Sequence, residues 1–253
     1  MSDTIIDIAN LFMRFDEVEA LRDVSLTIDR NQFVSIVGPS GCGKSTLMRI
    51  VAGLIKPSSG EVRIDGDIVQ RPHPGVGIVF QSATLLPWKS VRGNIAMQLE
   101  LRGLKPADHA AAIDGLIRLT GLQGFENHLP HQLSGGMQQR VSICRALVHD
   151  PELLLLDEPF GALDAMTRET MNRELQRIWL NSRKTVLMIT HGIAEAVFLS
   201  DIVVVMSARP GRIERIFTID LPRPRTPEID DNPLFREYVR EIRKLFGEAI
   251  AFD

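Results

Sequence analysis

The sequence predicts an α/β fold: a mainly parallel sheet with an antiparallel β portion near the start of the chain and an inserted helical subdomain. Segments of helical periodicity separate four short apolar runs, at 33–38, 153–157, 185–190 and 201–206. Strands that alternate with helices favour parallel pairing. The strand pattern stops near Leu85 and returns at 153, which predicts the helical insert between these two points.

The first third of the chain predicts several strands. Apolar and polar residues alternate from Val24 to Ile28, which is the period of a half-buried strand. The stretches 61–66 and 76–81 predict two further strands, with Gly60 and the cluster 72–75 as turns.

Helical patterns mark the insert and the last part of the chain. Between Pro106 and Gly121 one helical face carries Ile113, Leu116, Ile117 and Thr120, and 134–150 predicts a second helix. After Ile219, LPRPRTP predicts a stiff linker to an amphipathic helix with Leu234, Tyr238, Ile242, Leu245, Phe246 and Ile250 on its apolar face. The predicted division is a core with an N-terminal β portion at 1–84 and 151–215, a helical subdomain at 85–150, and a linker with a helix at 216–253.

Composition limits the possible partners. The 253 residues are 44% hydrophobic with a net charge of −3, so no broad cationic surface predicts nucleic-acid binding. The longest apolar runs, 153–156 and 202–206, are far shorter than the roughly 18 residues that a membrane-spanning helix needs. Cys42 and Cys144 lack metal-site spacing and favour a reducing compartment.

The stretch GPSGCGKST predicts a phosphate-binding loop. It follows the predicted buried strand FVSIVG and opens the predicted helix 44–54, which is the context that the GxxxxGK[ST] pattern requires. Glycines let several backbone N–H groups face one anion, and the helix N-terminus adds its positive dipole end. Lys44 supplies a cation for the β- and γ-phosphates, and Ser45 supplies a hydroxyl for Mg²⁺. The predicted nucleotide-binding residues here are Gly38, Pro39, Ser40, Gly41, Cys42, Gly43, Lys44, Ser45 and Thr46.

Polar residues follow three of the predicted strands. Asp157 and Glu158 come directly after LLLL, whose end lies beside the phosphate loop in a parallel sheet. Asp157 suits Mg²⁺, and Glu158 suits a water aimed at the γ-phosphate. Gln81, after VGIVF, suits Mg²⁺ or water but also an ordinary turn. His191, after TVLMIT, suits the γ-phosphate but also a structural role.

LSGGMQQR at 133–140 predicts a second anion-facing helix start, with a serine cap and two glycines. With this stretch lying between the phosphate loop and LLLLDEP, the sequence resembles the ATP-binding cassette (ABC) ATPases over residues 4 to about 215. The resemblance implies a P-loop NTPase core of the RecA-like type and a helical signature subdomain. It also implies a head-to-tail pair of subunits, in which Ser134, Gly135 and Gly136 of one copy close on ATP held by the other.

Further motifs follow the family's order. Phe15 resembles the aromatic residue that stacks on adenine, with an ordinary strand-core aromatic as the open alternative. Gln81 matches the Q-loop glutamine. Asp157 and Glu158 match the metal-holding acid and the catalytic base. His191 matches the switch histidine.

The residues that follow the catalytic base and the switch histidine also compare with the family. Gly161, Ala162, Leu163 and Asp164 match the D-loop, and Asp164 is the nucleotide-site candidate among them. Gly192 departs from the family, in which Asp often follows the switch histidine. We expect the glycine to loosen the local backbone and to remove a charge.

Three segments resemble importer ATPases of the nitrate/sulfonate/taurine class: LLPWKSV at 85–91, SARPGRI at 207–213 and the PRPR linker with its terminal helix. Leu85, Leu86, Pro87 and Trp88 suit docking to a membrane partner, with a capped local core as the open alternative. Arg209 and Arg212 are also compatible with simply flanking a Pro-Gly turn. Non-transport ABC ATPases of the DNA, ribosome or iron–sulfur type are disfavoured, because only about 50 residues separate Gln81 from Leu133, too few for a coiled coil, and the chain holds one cassette. An exporter ATPase stays open.

The resemblance implies an ATPase that uses ATP and Mg²⁺, with Ser45, Gln81 and Asp157 on the metal and Glu158, His191 and Gln81 in catalysis. It implies three kinds of partner: integral membrane permease subunits, a second copy of the chain and, indirectly, an extracytoplasmic solute-binding protein. It implies no nucleic acid. The expected location is peripheral, at the cytoplasmic face of the inner membrane, where the protein would energise import of a small anionic solute.

Overall fold

The computed structural model describes residues 3–161 and 163–250, except for the side chains of 247–250. Its strands are β1 (Thr4–Phe15), β2 (Val18–Asp29), β3 (Phe33–Val37), β4 (Ser59–Ile64), β5 (Asp67–Ile68), β6 (Val76–Val79), β7 (Leu153–Asp157), β8 (Thr185–Ile189), β9 (Ile202–Met206) and β10 (Ile213–Thr218). Its α-helices are α1 (Lys44–Val51), α2 (Val91–Leu101), α3 (Ala110–Leu119), α4 (Gly135–Leu147), α5 (Ala165–Ser182), α6 (Ile193–Leu199) and α7 (Pro233–Ile250). No helix in this described part is long and apolar enough to cross a membrane.

A six-stranded sheet forms the core, in the order β10-β9-β3-β8-β7-β6. Strands β9, β3, β8, β7 and β6 run parallel, and β10 pairs antiparallel with β9. The carboxyl ends of the parallel strands therefore lie along one edge of the sheet, where α/β proteins bind their ligands. The predicted parallel α/β core is confirmed.

The antiparallel β portion is a second sheet, in the order β2-β1-β4-β5. The predicted alternation in β2 is confirmed, because Val24, Leu26 and Ile28 are buried. The predicted turn at Gly60 is wrong: Gly60 lies inside β4, where the register against β1 shifts. Its φ is +79°, and a Cβ there would lie 2.2 Å from the carbonyl oxygen of Asn10, so the irregularity requires glycine.

The core sheet is covered on both faces. Val34, Leu155 and Leu187 point to the face covered by α1 and the second sheet. Phe33 and Leu154 point to the face covered by α4 and α5. Because the strands are buried on both sides, their sequences are continuous apolar runs rather than alternating ones.

The predicted insert contains α2, α3 and α4 around a small core of their own. The stretch predicted as a helix from Pro106 is a 3-10 turn at Pro106–His109 followed by α3, and Ile113, Ile117 and Thr120 on its predicted face are buried. Helix α4 ends at Leu147, and Ser134 caps its start by accepting a hydrogen bond from the Met137 N–H at 3.3 Å. The sequence reasoning did not identify α2 as a separate helix.

The last part of the chain differs from its prediction in two ways. The core sheet continues to Thr218, beyond the predicted boundary at 215, because β10 extends its edge. LPRPRTP, predicted as a stiff linker, is packed onto the core: Arg223 pairs with Asp201 at 2.9 Å, and Arg225 is buried with hydrogen bonds to carbonyls at the C-terminal end of α6. A guanidinium at a helix C-terminus is favoured by the helix dipole. Helix α7 packs its apolar face against this region, and the side chain of Ile250 lies outside the described ones.

Candidate nucleotide-binding site

A cavity of about 260 Å³ lies at the carboxyl edge of the parallel strands. Its lining residues are Phe15, Val18, Ala20, Ser40, Gly41, Gly43, Lys44, Ser45, Thr46, Glu158, His191 and Arg209. The structure thus brings together the predicted adenine-stacking residue, most of the phosphate loop and two predicted catalytic residues. Phe15 is 46% exposed at the end of β1, so it is not a strand-core aromatic.

The shape of the phosphate loop depends on glycine. Gly43, just before α1, has φ +100°, and a Cβ there would lie 2.7 Å from Leu21 Cδ2 and 2.8 Å from the carbonyl oxygen of Ala20. A side chain at position 43 would clash with both of these atoms. Only glycine therefore lets the loop pack this closely against β2.

Lys44 and Cys42 are both buried in the loop but differ in role. Lys44 is 4% exposed, and its Nζ donates to the carbonyl oxygens of Gly38 at 2.8 Å and Pro39 at 2.9 Å. The loop therefore holds the ammonium group at the wall of the cavity. The Cys42 side chain belongs to the apolar core, and burial raises the pKa of its thiol, so any nucleotide contact from Cys42 comes from its backbone.

A pair of oxygen donors links α1 to β7. Ser45 Oγ donates to Asp157 Oδ1 at 3.2 Å. Burial raises the pKa of Asp157, and the charge of Glu158 adds to this rise while the Ser45 hydroxyl opposes it. Mg²⁺ prefers hard oxygen ligands, and a divalent cation offsets the cost of burying a carboxylate, so this pair fits a magnesium ion. Gln81, the third predicted metal residue, makes its hydrogen bond to Glu158 and not to this pair.

Glu158 is held on both carboxylate oxygens. Gln81 Nε2 donates to Oε2 at 3.1 Å, and His191 Nε2 lies 2.6 Å from Oε1. The Glu158 backbone has φ +46°, a left-handed conformation that is uncommon for a non-glycine residue, and its N–H donates to the carbonyl oxygen of Ile189 at 2.9 Å. Such a conformation persists where surrounding contacts fix it, as at many active sites.

Arg209 is a site residue that the sequence reasoning did not assign to the cavity. Its Nε and Nη2 donate to the carbonyl oxygen of Gly41 at 3.2 and 3.1 Å. The following Gly211 packs on the loop as well, because a Cβ there would lie 1.9 Å from the Cys42 carbonyl oxygen. The stretch SARPGRI contains Arg209, but the partner of Arg209 is Gly41, 168 residues earlier in the chain. Only the fold brings these two residues together.

The predicted signature residues lie elsewhere. Ser134 and Gly135 are exposed at the start of α4, and none of the described residues lining the nucleotide cavity comes from this helix. A Cβ on Gly136 would lie 3.1 Å from Thr167 Cγ2, so α4 starts beside the first turn of α5. Asp164 caps α5 by accepting from the Thr167 N–H at 3.0 Å, and hydrogen bonding by Thr167 lowers the pKa of Asp164. Ala162, also predicted in the D-loop, lies outside the described residues.

Gly192 does not loosen the backbone as expected. It caps α6 with φ −81°, and its N–H donates to Thr190 Oγ1 at 3.0 Å. A Cβ at this position would lie 3.1 Å from the Cβ of Glu195 and 3.2 Å from its Oε2. The buried carboxylate of Glu195 therefore occupies the space beside residue 192, which explains why a small uncharged residue fits here.

Comparison with known proteins agrees with this geometry. Residues 21–161 match the ABC transporter family. A taurine import ATP-binding protein of Rhizobium johnstonii is 47% identical over 90% of this chain and 89% of its own length. An aliphatic sulfonates import ATP-binding protein of Bacillus licheniformis is 42% identical over 94% of this chain and 91% of its own length.

A solved structure is similar over most of the chain. The dimeric post-hydrolysis state of an ATP-binding cassette bound to ADP and Pi has a TM-score of 0.74 at 31% identity, covering 86% of this chain and 100% of that chain. The chain belongs to the ABC transporter family. Within that family it is the subunit that binds and hydrolyses ATP.

Proposed function

We propose that this subunit energises the import of a small solute carrying a sulfonate group, such as taurine or an aliphatic sulfonate. The observation that carries the solute class is the similarity to two import ATP-binding proteins, which extends over at least 90% of this chain in both cases. The geometry supports the ATPase part independently, because the phosphate loop, the Ser45–Asp157 pair and Glu158 lie at one edge of one sheet.

Glu158 is the proposed general base. The attacking water gives its proton to the Glu158 carboxylate as its oxygen bonds to the γ-phosphorus, and the bond from that phosphorus to the β-bridging oxygen breaks to leave ADP. Gln81 and His191 hold the carboxylate in this structure, one on each oxygen, and each oxygen keeps a lone pair that can accept from a water. His191 is the proposed donor to the γ-phosphate, and Gln81 the proposed partner of the water or the metal.

The phosphate loop and the aromatic wall are the proposed nucleotide-binding elements. Backbone N–H groups of residues 40–46 surround the phosphates, Lys44 neutralises them, and the exposed ring of Phe15 stacks on adenine. Mg²⁺, held by Ser45 and Asp157, would supply charge neutralisation to the β- and γ-phosphates when bound.

A second copy of the chain completes each site. Helix α4 starts on the surface with an exposed serine and glycine, and the capping residue Asp164 lies next to it. An N-terminus of this kind favours an anion, yet the chain's own phosphate loop is elsewhere. We propose that the signature residues and Asp164 contact ATP held by a partner copy in a head-to-tail dimer.

The membrane partner has a proposed docking groove. A cavity of about 540 Å³ lies between β6 and the helices α2 and α4, and Phe80 at its wall directly precedes Gln81. Arg145 fixes the loop after Gln81 by donating to the carbonyl oxygens of Ala83 and Thr84, both at 2.9 Å. A permease segment bound in this groove would contact Phe80 and Thr84, which lie on either side of Gln81 in the sequence. Gln81 in turn contacts Glu158 in the nucleotide site.

Trp88 is the proposed apolar anchor for the membrane partner, four residues after Thr84 at the wall of this groove. It is 72% exposed, whereas Leu85 and Leu86 are half-buried and Leu85 packs on the helical-subdomain core. The half-buried Leu85 fits the alternative of a capped local core, and we assign the proposed docking to Trp88. In the proposed assembly the subunit is peripheral at the cytoplasmic face of the membrane, and an extracytoplasmic binding protein delivers the solute to the permease.

The test combines binding and transport. Trp88→Ala should leave the ATPase rate of the isolated protein within a few-fold of wild type but release it from permease-containing membranes, because a lost interface anchor costs roughly 2 kcal/mol. Ile216→Ala, which removes an exposed apolar side chain from the distant edge strand β10, is the matched control and should stay bound. Uptake of radiolabelled taurine or an alkanesulfonate should require Lys44. Uptake of neither solute would refute the solute class, and a Trp88→Ala protein that stays on the membrane would refute the docking surface.

A further inference from the structure

His191 lies at the nucleotide cavity with little packing of its own side chain. That side chain is 46% exposed, and its Nε2 lies 2.6 Å from Glu158 Oε1. An exposed ring has few packing contacts that fix its direction. For the ring to reach the γ-phosphate, the backbone on either side of residue 191 must therefore be held by other residues.

A single buried side chain connects the residues on both sides of His191. Thr190, which follows β8, is 4% exposed, and its N–H donates to the carbonyl oxygen of Ile36 at 3.2 Å. Its Oγ1 accepts a hydrogen bond from the Gly192 N–H at 3.0 Å. The Thr190 side chain therefore bridges the residues before and after the histidine and closes the turn that carries it.

The direction of the Thr190 hydroxyl is set by Glu195, in the first turn of α6. Thr190 Oγ1 donates its hydrogen to Glu195 Oε2. A hydroxyl has one hydrogen and two lone pairs, so once the hydrogen points at the carboxylate a lone pair is left for the Gly192 N–H. The carboxylate thus selects the rotation of the hydroxyl in which it can accept from the turn.

Helix α6 gives this carboxylate a rigid support. Glu195 is 8% exposed, and Ala196 beside it is buried in one apolar cluster with Val37, the last residue of β3 before the phosphate loop. Burial raises the pKa of Glu195, and the hydrogen bond from Thr190 is the largest contact that opposes the rise. A buried carboxylate is costly without a donor, so its bond to Thr190 is favoured. The turn is thereby tied to the same packed layer as the phosphate loop.

We propose that Thr190 and Glu195 form a positioning pair, which holds His191 in the place from which its ring reaches the γ-phosphate. The proposal rests on the catalytic role of His191 proposed above. Neither Thr190 nor Glu195 is among the described residues that line the nucleotide cavity, so the pair acts through the histidine and not by contact with ATP.

Thr190→Val removes the hydroxyl while keeping the size of the side chain. It should lower kcat for ATP hydrolysis at least about tenfold, since a catalytic group displaced by about 1 Å can cost that much or more. The KM for MgATP should stay within about twofold of wild type, because the phosphate loop is untouched. Thr190→Ser restores a hydroxyl and should return kcat to within about threefold of wild type.

Thr185→Val, at the other end of β8, is the matched control. Thr185 is 2% exposed, and its Oγ1 accepts from the Asn31 N–H at 3.0 Å, so this substitution also removes a buried hydroxyl contact from the same part of the fold. Urea unfolding should show a comparable loss of stability in Thr185→Val and Thr190→Val, but only Thr190→Val should lose kcat. An equal fall of kcat in both variants would show general destabilisation and overturn the positioning role.

Two substitutions at Glu195 test the other member of the pair. Glu195→Gln keeps an oxygen that accepts from Thr190 and should retain kcat within about threefold of wild type. Glu195→Leu keeps the approximate size but no acceptor, and it should lose kcat as Thr190→Val does. Near-wild-type kcat in either Glu195→Leu or Thr190→Val would overturn the pair.

His191→Ala separates this proposal from the catalytic role on which it rests. We expect slow hydrolysis in His191→Ala. If His191→Ala is slow and Thr190→Val is not, the catalytic role stands and positioning by Thr190 and Glu195 is refuted. If His191→Ala hydrolyses ATP at the wild-type rate, the catalytic role of His191 is refuted, and the positioning role falls with it.

Discussion

The two helix starts that suit phosphate, at α1 and at α4, differ in what surrounds them. At α1, Lys44 is 4% exposed, Gly43 contacts β2, and Ser45 bonds to Asp157. At α4, Ser134 and Gly135 are exposed, and among the described residues the serine side chain bonds only to its own helix, through the Met137 N–H. The first helix start has its chemical partners within the chain.

This difference has a simple physical meaning. An exposed helix start with glycines is stable in water but contributes no binding energy until an anion reaches it. In the proposed head-to-tail dimer, this helix start is half of a composite site, and the other half is the phosphate loop of a second copy.

Ser134→Arg should reduce ATP turnover to background while leaving nucleotide binding by the single chain nearly unchanged. The bulky cation blocks the helix start that would meet the partner's γ-phosphate, but it is remote from the chain's own loop. Ser90→Arg is the matched control, because Ser90 caps α2 in the same way, accepting from the Gly93 N–H at 3.2 Å. Both substitutions remove a helix cap worth about 1 kcal/mol. A difference in ATPase activity between the two variants therefore reports the proposed role of Ser134. Measured nucleotide affinity and steady-state ATPase activity decide the outcome.

A mixture of Ser134→Arg with Lys44→Ala protein sharpens the same test. In a heterodimer, one site combines an intact phosphate loop with an intact signature helix, and the other site has both defects. ATP-dependent heterodimers and partial activity should therefore appear in the mixture and in neither variant alone. If activity stays absent while heterodimers form, a single composite site is not sufficient for turnover.

Glu158→Gln should slow hydrolysis by about 10²- to 10⁴-fold with ATP binding retained, because a general base of this kind contributes that much. Dimers should accumulate in MgATP, since closure no longer ends in hydrolysis. Glu152→Gln, at the opposite end of β7 and paired with Arg30 at 2.6 Å, is the control and should hydrolyse ATP normally. A Glu158→Gln enzyme that turns over at near the wild-type rate would remove this residue from the role of base.

The buried strands and the phosphate loop were easier to predict from the sequence than the exposed start of α4. The runs at 33–37, 153–157, 185–189 and 202–206 are apolar because their strands are covered on both faces, and that pattern is local. Helix α1 was predicted to continue to residue 54 but ends at Val51, because Gly53 adopts φ +71°. The phosphate loop and the ends of β7 and β8 follow from the strands without further information.

Contacts between distant segments were not predictable. Strand β10 carries exposed Glu214 and Arg215 on an edge, so its pattern is weak. Arg223 and Arg225 appeared to belong to a linker, but their partners are Asp201 and carbonyls of α6, which the fold alone brings near. Arg209 on Gly41 is of the same kind. Long-range polar pairs leave no periodicity in a sequence.

The smallest expected effect concerns the other end of the signature helix. His149 follows α4 at the wall of the proposed docking groove, where burial, and then the charge of Arg102, lowers its pKa to about 4. Between pH 6.5 and pH 4 the unfolded chain binds a proton at His149 that the folded chain does not, so acidification through this window destabilises the fold.

Urea unfolding of wild type and His149→Gln at pH 7 and pH 4.5 measures this contribution. The wild-type protein should lose roughly 1 kcal/mol more than the variant between the two pH values, a figure kept low because the half-buried ring is partly screened by water. Each protein's own free energy of unfolding at pH 7 is the reference, which removes any packing effect of the substitution. Equal losses in the two proteins would mean that the fold does not hold His149 neutral. A larger loss in wild type would mean that the fold keeps the His149 side chain uncharged at the wall of the groove, whereas the start of the same helix favours an anion.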